Sequence, residues 1–164
     1  MTRVEAGKIA PGFTLPGMNG KQYSLAEALK KGPVLAAFFK VSCPVCQFTL
    51  PFVERLHESY GEEKASIWAI SQDDARDTRE FCEEFGLHFP ALVDDDGYPA
   101  SNAYGLTNVP SIFLIAPDGE VSVTSIGFEK AALEKMAAEI ARYSGKPVAP
   151  VFRPGEVVPD FKPG

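Results

Sequence analysis

The stretch that most constrains the fold is Phe38-Phe39-Lys40-Val41-Ser42-Cys43-Pro44-Val45-Cys46. The run Val34 to Phe39 is apolar throughout, as a central strand buried on both faces requires. A short turn follows, and two cysteines three apart open a helix expected over 42–60. Residues i and i+3 share one helix face, so the two sulfurs can meet and form a small disulfide. A helix N-terminus also carries unpaired N–H groups and partial positive charge, which stabilise a thiolate. Cys43 is therefore expected to be the more exposed thiol and to ionise near neutral pH. Cys46, one turn further in, is expected to be shielded until it attacks a mixed disulfide.

The rest of the chain supplies layers for that strand. Ala10 to Pro16 reads as an extended piece on which Lys21-Gln22-Tyr23 can fold back as a hairpin. Ser24 with Glu27 predicts a capping box on a short helix over 24–30. Phe48, Phe52, Leu56 and Tyr60 recur at helical spacing along 42–60, with Pro51 expected to kink that helix. Ser66 to Ser71 is the next strand. Asp73 or Asp74 should cap a helix through Glu84, with Thr78, Phe81, Cys82 and Phe85 on its apolar stripe. A short strand over 91–93 and helical turns over 98–104 come next. Strands over 111–116 and 120–125 flank the turn Pro117-Asp118-Gly119, and an amphipathic helix spans 129–143. This order predicts an α/β fold with a mixed central sheet flanked by helices on both faces, and with an N-terminal hairpin extension.

Two stretches read as peripheral. Residues 1–9 look like a loose lead-in. Residues 146–164 hold Pro147, Pro150, Pro154, Pro159 and Pro163 and offer little to bury, so the division expected is a domain over 1–145 and an extended tail over 146–164. The tail segment Gly155 to Gly164 echoes Gly7 to Gly17. Chance among Gly and Pro is the favoured reading, and the alternative docks the tail where the N-terminal segment docks.

At 164 residues the chain fits one domain with a full core. The net charge of −6 without a basic run argues against nucleic acid as a partner. No apolar stretch is long enough to span a membrane. Met1-Thr2-Arg3-Val4-Glu5 lacks an apolar signal core, so the chain as given reads as cytoplasmic, or as periplasmic or otherwise exported if it was trimmed from a longer one. Three cysteines are too few for a disulfide scaffold. A zinc site would need about four ligands, and Cys82, His57 and His88 show no paired spacing. His57 reads as solvent-facing, His88 as a loop residue and Cys82 as a small core residue. Glu62-Glu63 and Asp94-Asp95-Asp96 read as solvated turns. No cofactor and no metal are expected.

Together, Ala10-Pro11-Gly12-Phe13-Thr14-Leu15, Asn19-Gly20-Lys21, Cys43-Pro44-Val45-Cys46, Pro51, Tyr104-Gly105-Leu106, Val109-Pro110-Ser111, Phe113-Leu114-Ile115 and Asp118-Gly119 resemble the thioredoxin-like fold. They are most similar to the TlpA/ResA-like branch of thiol–disulfide oxidoreductases, which is related to AhpC/TSA proteins. The resemblance runs from about Ala10 to Tyr143. It implies exchange with protein disulfides or dithiols and an upstream redox partner. Cys43 and Cys46 would be the catalytic pair, with Pro44, Val45, Val109 and Pro110 binding substrate. It further implies a cis Val109–Pro110 bond that leaves the Val109 backbone free to pair with an extended substrate strand.

The chain departs from thioredoxin proper at Ala37, where a buried acid is usual, and at Ser42, where a tryptophan is usual. Lys40 could tune the site electrostatically or be merely solvated. Since neither Pro44 nor Val45 adds a charge, a reductant or a middling potential is expected, and, separately, a monomer. Two alternatives stand beside this. One is a peroxiredoxin-like thiol peroxidase, against which the absence of a Thr or Ser three residues before either cysteine counts. The other is a non-catalytic binding module, which would not need a second cysteine in register.

Overall fold

The apolar run that dominates the sequence is the middle strand of a five-stranded sheet. The computed structural model describes residues 3–61 and 63–164, so Met1, Thr2 and Glu62 of the acidic pair lie outside the described residues. In chain order the elements are β1 (Thr14–Pro16), β2 (Gln22–Ser24), α1 (Leu25–Leu29), β3 (Val34–Phe39), α2 (Pro44–Tyr60), β4 (Ser66–Ser71), α3 (Ala75–Phe85), β5 (Ala91–Val93), α4 (Pro99–Ala103), β6 (Ser111–Ile115), β7 (Val121–Ile126), β8 (Phe128–Glu129), α5 (Lys130–Ser144) and β9 (Phe161–Lys162). The sheet order is β5-β4-β3-β6-β7. β3 runs parallel to β4 and antiparallel to β6, which makes the sheet mixed as expected.

Every residue of β3 is fully buried, and its alternation divides the core. Leu35, Ala37 and Phe39 face a cluster with Leu50, Val53 and Leu56 of α2, Phe81 of α3 and Leu133 and Met136 of α5. Val34, Ala36 and Phe38 face a second cluster with Leu15 of the β1–β2 hairpin, Leu25 of α1, Ala100 of α4 and Tyr104. A period-two strand apolar at every position must have a layer on each side, and here it does.

Several local signals act differently from their sequence reading. Ser24 caps α1, its Oγ accepting the Glu27 amide at 3.3 Å, but the Glu27 carboxylate turns to Lys30 Nζ instead of completing the box. Residues 4–10 are pinned, with Val4 N–H donating to Tyr104 O and Gly7 N–H to Val121 O. Asp94 is not a solvated turn residue. It is 1% exposed, and its carboxylate accepts the Ala100 and Ser101 amides at 3.0 and 2.8 Å and the Ser101 hydroxyl at 2.7 Å. The start of α4 would otherwise leave those amides unpaired.

The proline-rich tail also buries more than its composition suggests. Val151 is buried, and Phe152 packs on Phe52 and Phe128 with ring centroids 5.0 and 6.0 Å apart. Aromatic pairs of this kind contribute roughly 0.5–1.5 kcal/mol each beyond their area. Arg55 of α2 grips the tail, donating to both carboxylate oxygens of Glu156 at 2.8 Å and to Val151 O at 2.8 Å. The tail therefore docks on α2, α5 and β8, whereas the N-terminal segment that it echoes docks on β7 and Tyr104.

The clamp carries a pH dependence. The hydrogen bonds from Arg55, and then from the Arg153 amide, pull the Glu156 carboxyl down from 4.5 to about 2. A carboxylate lowered by folding favours the docked tail above its unfolded pKa and loses that contribution as pH falls through the folded value. The docked tail is thus expected to hold fully above about pH 4.5 and to loosen towards about pH 2. The Arg153 amide resonance should titrate across that window in the wild type and stay flat in Glu156→Gln. A flat wild-type profile would contradict the clamp.

Candidate active site

The end of β3 leads directly into the site. Cys43 is the N-cap of α2, and its Sγ accepts the Cys46 amide at 3.1 Å. Pro44 occupies the first helical position, where a missing N–H costs no hydrogen bond, and it is exposed. Val45 is half-buried, its carbonyl accepting the Thr49 hydroxyl at 2.6 Å. The geometry thus refines the sequence expectation by placing Cys43 just before the helix, where it takes one of the helix's unpaired amides.

The two thiols, both free, sit in contrasting surroundings. Cys43 is partly exposed, while Cys46 is 0% exposed. Burial first, then the Cys43 hydrogen bond and the charge of Asp73, push the Cys46 thiol far above its ordinary value. The third cysteine, Cys82, packs in the core on α3, and burial pushes its thiol up to about 11.

The loop before Cys43 is fixed from both sides. Val41 N–H donates to Asp73 Oδ2 at 2.8 Å, and Val41 O accepts Gln47 Nε2 at 3.0 Å. Asp73 is a site residue that the sequence reading treated only as a possible helix cap. Asp74 takes that cap, leaving Asp73 to face the cysteine loop. Lys40 itself is exposed.

Beside the end of β3, just before the neighbouring strand β6 whose Ser111 pairs with Phe38, come Val109 and Pro110, joined by a cis peptide bond. The Cys43 thiol lies 3.6 Å from the Val109 carbonyl as donor. Pro110 O accepts the Gly127 amide at 2.8 Å, which ties this loop to the start of β8. Val109 also borders a cleft of about 200 Å³ shared with Lys40, Gln72, Leu106, Thr107 and Asn108. The sequence-derived residues Cys43, Pro44, Val45, Cys46, Val109 and Pro110 are therefore brought to one place. His57 and His88 lie elsewhere, His88 Nδ1 meeting the buried Glu54 carboxylate at 3.2 Å. Among the described residues no group of three or more His, Cys, Asp and Glu is placed to hold a metal ion, and no helix is long and apolar enough to cross a membrane.

A mixed five-stranded sheet with a Cys-x-x-Cys at the end of its middle strand, facing a cis-proline loop, is the thioredoxin-like fold. The thioredoxin domain of a thiol-disulfide oxidoreductase from Bacteroides vulgatus superposes with a TM-score of 0.72 at 21% identity, covering 83% of this chain and 97% of that one. Peroxidoxin BcpB of Mycobacterium tuberculosis shares the fold with a TM-score of 0.69 at 22% identity, over 87% and 97% of the two chains. The AhpC/TSA family model matches residues 6–124. The thiol-disulfide oxidoreductase ResA of Geobacillus thermodenitrificans is 31% identical over 121 residues, 73% of this chain and 68% of its own. ResA of Bacillus thuringiensis is 31% identical over 126 residues, 76% and 72% of the two chains. This chain belongs to the AhpC/TSA family, in its TlpA/ResA-like branch.

Proposed function

We infer that the protein is a thiol–disulfide oxidoreductase acting on protein disulfides, with Cys43 as nucleophile and Cys46 as resolving thiol. The observation that carries this is the asymmetry of the pair. One sulfur is accessible and capped by a helix amide, and the other is buried, hydrogen-bonded to the first and held protonated.

The reaction balances in two steps. The Cys43 thiolate attacks one sulfur of a substrate disulfide, that S–S bond breaks, and the other substrate sulfur leaves as a thiolate and takes up a proton. Cys46 then gives up its proton and attacks Cys43, expelling the second substrate thiolate and leaving a Cys43–Cys46 disulfide. Two electrons have passed to the substrate, and an upstream dithiol must return them. Ala37 cannot take the Cys46 proton, and Asp73 is the carboxylate whose charge acts on that thiol. Pro44, Val45, Val109 and Pro110 form the substrate-facing surface. One copy supplies every group named, so the monomer suffices. Residues 1–145 form the catalytic domain, and 146–164 a strap laid on it.

The uncharged Pro44-Val45 pair favours the reducing direction. The discriminating experiment presents the reduced protein with insulin and, separately, with hydrogen peroxide. Insulin reduction with negligible peroxide turnover is expected. Peroxide consumption at comparable rates would move the chain to the thiol peroxidases that share its fold.

A further inference from the structure

We propose that residues 158–164 occupy the strand-pairing face beside Cys43 in place of a substrate polypeptide, which must displace them to bind. The proposal rests on the disulfide-exchange reading above and adds to it a resident competitor.

The geometry links this segment to the nucleophile by short steps. β9 pairs antiparallel with β8, Lys162 opposite Phe128 and Phe161 opposite Glu129. The Lys130 amide donates to Asp160 O at 3.0 Å and extends that ladder. β8 begins just after Gly127, whose amide is bonded to Pro110 O. From there the segment runs on to Val109. A β-carbon built on Gly164 would collide with the Val109 carbonyl, and one built on Gly127 would collide with the backbone of Lys162 and Gly164. Bare backbone is thus laid against the carbonyl that accepts the Cys43 thiol. An extended substrate pairing with Val109 would need the same ground. Lys162 Nζ also lies over the Phe48 ring, 5.0 Å from its centroid, two residues along α2 from Cys46.

The hold is weak where it must release. β8 and β9 are two residues each, and such a ribbon is marginal by itself. Phe161 is 56% exposed and Val157 98%. Pro159 and Pro163 keep the segment extended and out of a helix. Upstream, by contrast, Phe152 is packed and Glu156 is clamped by Arg55. The segment after Glu156 can therefore lift while the strap stays anchored. A site occupied in its resting state has its apparent affinity reduced by the fraction of molecules that are open.

The test uses the full chain carrying Val158→Asp with Lys162→Pro, which breaks the segment's pairing with Phe128 while leaving Cys43, Val109 and the residues of β8 themselves unchanged. The KM for insulin is expected to fall by about 3–10-fold while the rate with a small aromatic disulfide stays constant. A second measurement keeps the native segment. Cys46→Ser is used to trap a disulfide-bonded peptide on Cys43, and amide exchange at Lys162, which lies in a hydrogen-bonded pair with Phe128, should then accelerate. An unchanged insulin KM, or an amide that stays protected in the trapped complex, would overturn the displacement proposal alone. Failure of the wild type to react with the small disulfide would instead overturn the disulfide-exchange reading beneath it.

Discussion

Cys43→Ser is expected to lower insulin reduction by on the order of 10³-fold or more, since it removes the atom that forms the first covalent bond. Cys46→Ser is expected to stop turnover at a different point, with the substrate covalently attached. The difference follows from burial. Cys46 is fully buried and its thiol is held protonated, so it cannot compete with Cys43 for an incoming disulfide. It can reach only a sulfur already bonded to Cys43, whose own Sγ sits against the Cys46 amide. Intact-mass measurement after mixing with an excess of a disulfide-bonded peptide distinguishes the two. Cys46→Ser should gain the mass of one peptide chain, and Cys43→Ser should gain nothing. A peptide adduct on Cys46 in the Cys43→Ser protein would reverse the assigned roles.

The second large effect is on stability. Asp94→Ala is expected to destabilise the fold by about 3 kcal/mol, because the buried Ala100 and Ser101 amides lose a charged acceptor and find no water in its place. For a chain of this size that corresponds to a fall in Tm of roughly 6–12 °C. Asp94→Asn keeps one carbonyl acceptor and should lose about half as much. Calorimetry of both variants checks the ranking, and an alanine variant that melts within a degree or two of the wild type would rule out the capping role. The consequence reaches the site. α4 leads through Tyr104 to the Val109–Pro110 loop, and Ser101 Oγ also accepts Gln72 Nε2 at 3.0 Å. Loosening the start of α4 therefore frees one wall of the cleft at Val109.

What was readable from the sequence is what short-range patterns encode. The run 34–39 is apolar at every position, which is the mark of a strand covered on both faces. The capping residue Ser24, and the spacing of Cys43 and Cys46, are local signals of the same kind. The parts that were not readable depend on distant pairs. β8 and β9 are too short to carry an alternation, and their pairing joins segments on opposite sides of α5. Asp73 and Asp74 are adjacent identical residues, and only the approach of Val41, 32 residues earlier, decides which of them caps α3. Asp94 looked like its neighbours Asp95 and Asp96 because a triplet of acids reads as solvent. What distinguishes it is the start of α4 folding back on it. The tail's docking is not legible in composition, which counts prolines but cannot see that Val151 and Phe152 pack against Phe52 and Phe128.

The pinned lead-in has an effect outside catalysis. The Lys8 and Gly7 backbones pair with Val121 at the start of β7, and the Met18 amide donates to Ala91 on β5. These are the two outermost strands of the central sheet. A bare outer strand is a template for another molecule's backbone, and proteins that leave one open tend to stack edge to edge. Here a single N-terminal segment shields part of both margins. A thiol–disulfide oxidoreductase that pairs backbone to backbone with a substrate at its cysteine loop would thus offer fewer competing edges at the margins of its sheet.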